Sequence, residues 1–157
     1  MKKYIVILSV LTVFSLPIVA NAGSAYIPSW TVNPPDAWGN PKCSTGFSVA
    51  NIMNNTQTVT ITLYNVDGTP AAGLTYYYSN GGSNGSSYTD SAGKMIFSVQ
   101  SRNYLAISVV DNGSLQRGFG TISGGSHIGL IATVLINYPD NISLMSQTFA
   151  INGGNPF

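Results

Sequence analysis

Glutamate is absent from this chain, histidine and cysteine occur once each, and charged residues make up only 7% of it. An ordinary soluble domain carries roughly 25% charged residues. These shortages exclude whole classes of chemistry. A glycosidase of the usual kind sets two carboxylates across the scissile bond. Here five Asp are scattered and no close pair is visible. Asp67, Asp111 and Asp140 each fall in an expected turn, where Asp serves backbone hydrogen bonds. A zinc centre needs three or four His, Cys or carboxylate ligands, and the chain offers no cluster of them. His127, in Gly125-Ser126-His127-Ile128, reads as a turn residue at the mouth of a strand. A Cys43–His127 nucleophile pair has no local signature. No P-loop or EF-hand motif is present, and no nucleophile elbow is expected. The expectation is a protein that is not an enzyme and takes neither cofactor nor metal.

The first residues supply what is present in strength. Lys2 and Lys3 precede an apolar run from Tyr4 to Leu16, Pro17 breaks it, and Ala20-Asn21-Ala22 places small residues where a signal peptidase reads them. Residues 1–22 are therefore expected to be a secretory signal peptide cleaved after Ala22, leaving a secreted, periplasmic or cell-surface protein. The run is shorter than the ~20 apolar residues a permanent anchor needs. The longest later apolar stretch, Ile128 to Ile136, is shorter still, so no integral membrane segment is expected after cleavage.

After residue 22, four cations (Lys42, Lys94, Arg102, Arg117) face five Asp, a net charge close to zero. No basic stripe can form, so no nucleic-acid partner is expected. Near-zero charge favours self-association, and a homo-oligomer is one expected state. Export permits disulfides, but the single Cys43 cannot close an intrachain bridge. Two readings of it stay open: a small buried hydrophobe, or an intermolecular disulfide, since Pro41, Lys42 and Ser44 look like a loop.

Residues 23–44 are punctuated by Pro28, Pro34, Pro35 and Pro41, which forbids a helix. Tyr26, Pro28, Trp30 and Val32 alternate as one face of a strand would, and Pro28 would confine that strand to an edge. Residues 45–157 form the expected domain. Val59, Ile61 and Leu63 alternate with Thr58, Thr60, Thr62 and Tyr64 in a half-buried strand closed by Asp67-Gly68. Further strands are expected at Thr45–Met53, Leu74–Ser79, Lys94–Gln100, Tyr104–Val110, Arg117–Ser123, Ile128–Ile136 and Ile142–Ile151, with Ile128–Ile136 central in its sheet. Ser79 to Ser87 reads as a flexible loop, and Asn152 to Pro156 as the end of regular structure. About eight short strands with Gly and Asn turns, and no amphipathic helix, predict an all-β fold: a single antiparallel β-sandwich, with a closed barrel as the second choice.

The stretch Gly46-Phe47-Ser48-Val49-Ala50-Asn51, followed by Thr58 to Gly68, resembles the opening hairpin of short immunoglobulin-like sandwich modules in bacterial secreted and surface proteins. The match spans about a sixth of the chain, on generic hairpin chemistry. The resemblance implies an extracellular, mostly non-catalytic role and carries no binding residue across. The N-terminal strand also resembles the exchanged strand of fimbrial subunits, without their cysteine pair. Phe157 is similar to the last residue of outer-membrane barrels, although Gly153, Gly154 and Pro156 spoil a regular strand before it.

Aromatics are the candidate contact residues. In Tyr76-Tyr77-Tyr78, Tyr76 and Tyr78 share one face and Tyr77 takes the other; one face must be core. Tyr76 and Tyr78, with Trp30 and Trp38 of the proline-rich segment, are the candidates for stacking on sugar rings. The expected function is an exported interaction or structural protein, a surface, matrix or adhesion component contacting other subunits. The alternative is a small carbohydrate-binding module, and a secreted hydrolase comes third.

Overall fold

The computed structural model describes residues 23–35, 41–110, 113–125, 129–139, 144–150 and 156–157. The expected signal peptide, Trp38, His127, Asp111 and Asp140 lie outside them. Ten strands run through the described residues, none of which is helical. They are β1 (Ser24–Pro35), β2 (Pro41–Asn51), β3 (Gln57–Asn65), β4 (Thr75–Asn80), β5 (Ser83–Tyr88), β6 (Lys94–Val99), β7 (Tyr104–Val110), β8 (Gln116–Ser123), β9 (Leu130–Pro139) and β10 (Leu144–Ala150). Every pairing is antiparallel, along the path β5-β4-β7-β2-β1-β8-β3-β6, with β9 and β10 added beside β2.

The path folds back on itself at β1 and β2. Residues 24–32 of β1 pair with β8, whereas Asn33 and Pro35 pair with Cys43 and Pro41 of β2. Beyond that corner β2 pairs with β7 on one side and β9 on the other. The buried Thr45 hydroxyl staples the corner: it accepts from Thr31 N at 2.8 Å and donates to Thr31 O at 2.7 Å. At the far ends of the path, Asn80 Nδ2 of β4 donates to Ser98 O of β6 at 2.9 Å. Phe97 of β6 meets Tyr76 and Tyr78 edge-on, with centroids 5.8 and 5.3 Å apart. The sheet is thus nearly closed into a barrel, with one wall of β1-β8-β3-β6 and another of β5-β4-β7-β2-β9-β10.

Alternation fills the space between the walls. Val59, Ile61 and Leu63 of β3, Met95, Phe97 and Val99 of β6, and Leu105, Ile107 and Val109 of β7 all point inward. Full burial of such a side chain contributes roughly 1.5–3 kcal/mol. β9 is interior, between β2 and β10, as its apolar pattern predicts. Phe157 is buried too, and its backbone exchanges hydrogen bonds with Leu130.

Three expectations need correction. The flexible loop at Ser79–Ser87 is a hairpin: β4 and β5 pair from Thr75↔Tyr88 to Asn80↔Ser83. Gly81 and Gly82 take φ of 58° and 93° between them, the positive pair that a tight two-residue hairpin turn requires. Low hydrophobicity hid this strand, because Tyr76 and Tyr78 of β4 do the burying. The strand count is accordingly ten: β1 lies within the proline-rich segment and pairs with β8, and β2 runs across residues 44 and 45. Lastly, β2 and β3, the two stretches that resemble an immunoglobulin-like hairpin, share no ladder: β2 pairs with β1, β7 and β9, and β3 with β6 and β8.

Candidate functional site

The residues expected to bind sit mostly in the core. Trp30 is fully buried, and its indole Nε1 donates to Tyr64 O and Phe119 O, both at 3.0 Å. A bulge puts it there: Pro28 and Ser29 lie between the Ile27↔Gly120 and Trp30↔Gly118 pairs, opposite Phe119 alone. The register slip turns Trp30 inward, while Tyr26, of the same sequence parity, faces out at 59% exposure. Tyr76 is buried and Tyr78 half-buried, both packed against Phe97, so the two rings form part of the core edge, with Tyr78 also lining the groove described below. Trp38 lies outside the described residues.

Cys43 is 4% exposed and near Thr31 O (Sγ to O, 3.7 Å). Burial pushes the thiol pKa up, against a smaller lowering by that hydrogen bond. The loop expected around it is the paired start of β2, and the thiol is free and buried there. Of the two open readings, the buried hydrophobe is the one observed.

One string does spell a nucleophile-elbow pattern, against expectation: Gly81-Gly82-Ser83-Asn84-Gly85. It runs from strand to strand through the hairpin turn, whereas the elbow needs a strand leading into a helix. Among the described residues no three His, Cys, Asp or Glu side chains gather as a metal site would need.

The outward face of the β5-β4-β7-β2-β9 wall is different. Cross-strand partners Gly46↔Ser108 and Ser48↔Ala106 lay a floor of small side chains across β2 and β7. On one side Tyr77 rises from β4, 55% exposed, flanked by Asn84 and Ser86 of β5; on the other stand Leu135 and Asn137 of β9. Together they enclose an open groove of about 730 Å³. Small side chains in the middle and larger ones at the edges are what make the face concave. No lining residue carries a charge. Tyr88 is exposed on the same face, diagonal to Tyr77 across the β4–β5 pair. The groove offers hydroxyls, amides and an aromatic ring, but no general base and no strong nucleophile.

The opposite wall carries an outer aromatic ladder, with Phe119 stacked on Tyr64 at 5.5 Å and tilted against Tyr26 at 6.2 Å.

No protein-family model matches this chain, and no curated protein matches it. Among solved structures it is similar to the crystal structure of Thermotoga maritima 1070, at 8% identity and a TM-score of 0.41, over 83% of this chain and 92% of that one.

Proposed function

We propose that this chain is an exported, non-enzymatic interaction protein whose contact surface is the outer face of the β5-β4-β7-β2-β9 wall. The observation that carries the reading is the uncharged groove centred on Tyr77, Ser48 and Ser108. Its side chains bind by shape and hydrogen bonding, and no His, Lys or carboxylate in the lining stands beside the Ser and Tyr hydroxyls to activate them. Export rests on the N-terminal sequence; cleavage after Ala22 would remove none of the described residues. With it goes a sandwich-like reading of the barrel, its two walls face to face across one core. The immunoglobulin-like hairpin forms no part of that reading, since β2 and β3 are not paired.

The exposed ring of Tyr77 among Ser and Asn side chains favours one particular occupant, a neutral polysaccharide. Aromatic faces take the apolar side of a sugar ring, and the hydroxyls and amides take its rim. Affinity electrophoresis through gels containing neutral polysaccharides tests this. Retardation of the wild-type protein that Tyr77→Ala abolishes supports the glycan occupant. No retardation, with an assembly that the same substitution disperses, moves the occupant to protein. Binding and assembly that are both untouched by Tyr77→Ala would remove the groove from the account.

A further inference from the structure

We infer that Arg102, at the end of the barrel where β6 turns into β7, holds the carboxylate of an acidic sugar. Arg102 has φ of 52°, the one positive value for a non-glycine among the described residues. Side chains other than Asn and Asp seldom adopt it, and Gly or Asn would fit the turn with less strain. The surroundings hold it there. Arg102 N donates to Met53 O at 3.1 Å, and Asn51 N donates to Asn103 O at 2.9 Å. The buried Asn51 amide reaches the carbonyls of Asn55, Val99 and Gln100 at 2.8–3.1 Å, and its Oδ1 accepts from Met53 N at 3.0 Å. The β2–β3 loop and the β6–β7 turn are thereby tied into one block.

The side chain is held as well. Arg102 Nε donates to Asn54 Oδ1 at 2.8 Å, an exposed contact that orients the guanidinium and leaves both Nη groups without a partner among the described residues. Arg102 lines two hollows of about 390 Å³ each, with Ile52 common to both. One is lined by Tyr104 and Ile52, which are 58% and 49% exposed. A guanidinium edge offers two parallel N–H donors, the geometry that pairs with a planar carboxylate. With one cation in the cleft, a single negative charge is balanced and a doubly charged phosphate is not.

The body attached to that carboxylate has to lie on Tyr104 and Ile52. A peptide C-terminus is usually caught by free backbone N–H groups. Here four of the N–H groups lining the hollows, those of Ile52, Met53, Arg102 and Tyr104, are committed, to Gly129 O, Asn51 Oδ1, Met53 O and Asn103 Oδ1. A uronic acid needs none of them: its ring stacks on Tyr104 while its carboxylate meets Arg102. This site has its own lining and does not depend on what fills the Tyr77 groove.

The test is calorimetric titration of the full mature chain with trigalacturonate and with its methyl ester. Binding of the acid and not of the ester is expected. Arg102→Gln should weaken it about tenfold or more, as expected for loss of a charge-assisted pair. Asn54→Ala, which frees Nε, should weaken it less. Arg102→Gly separates binding from folding: it relieves the backbone, so the melting temperature should hold or rise while binding disappears. Equal binding of acid and ester, equal binding by Arg102→Gln, or no binding of the acid would overturn the proposal. So would Arg102-dependent binding of an Ala-Ala-Phe tripeptide in place of the uronate.

Discussion

Leu74, Tyr76 and Tyr78 share one parity around β4, and Thr75, Tyr77 and Ser79 share the other. Leucine in the first set and polar residues in the second mark which face is core, a signal for Tyr77 as the outward tyrosine that the choice of Tyr76 and Tyr78 as stacking residues passed over. Trp30 was not legible: a one-residue bulge at Pro28-Ser29 reverses its side relative to Tyr26, and alternation alone does not carry that reversal. Pro28 marks the place without fixing the register. Arg102 was equally hidden, since nothing about Arg announces a left-handed backbone. Cys43 gives the prediction at this scale. Its thiol should resist a maleimide in the folded protein and react at once in guanidinium, and reducing and non-reducing gels should show no thiol-dependent dimer. Its raised pKa contributes stability that is complete below the unfolded thiol's value and is lost as pH rises through the folded one. Cys43→Ala should therefore flatten the alkaline limb of a melting-temperature profile. Rapid native labelling would contradict the burial.

At the scale of elements, most strands follow from alternation and turn chemistry. β3, β6 and β7 read inward and outward as the sequence alternates, and Asp67 Oδ1 accepts from Thr69 N and Oγ1 in the turn after β3. β5 escaped because Ser, Asn and Gly carry no hydrophobic signal, although its Gly81-Gly82 turn is a hairpin sign. Two glycines separate backbone strain from steric exclusion. Gly82 takes φ of 93° with open space around it, so Gly82→Ala should cost about 1–2 kcal/mol through backbone strain alone. A Cβ on Gly118 would collide with the Tyr64 carbonyl in the β3–β8 ladder beneath Trp30. Gly118→Ala should therefore cost about 3 kcal/mol or more, as overpacking does. Urea unfolding of both variants checks the order; equal costs would mean that β3 and β8 are not packed as closely as described.

For the whole molecule, the all-β class and its antiparallel character were legible from turn spacing, and the closure of the sheet was not. Closure depends on β1 and β2 turning a corner at Thr31 and Thr45, and on Asn80 reaching Ser98 across the seam, contacts far apart in the sequence. The same shortage of charge that excludes much chemistry leaves the outer face of the β5-β4-β7-β2-β9 wall polar and uncharged. If that face is the contact surface, a charge at its centre should abolish the contact. Ser48 is exposed on the groove floor, so Ser48→Lys should fold and melt like the wild type, within about 0.5 kcal/mol. The measurement is fractionation of producing cells, followed by sedimentation of the mature protein from each fraction. Wild-type protein should begin at Gly23 and appear in a surface-bound or high-mass fraction, with Ser48→Lys released as a folded monomer. Identical distribution of the two proteins would contradict a contact at that face.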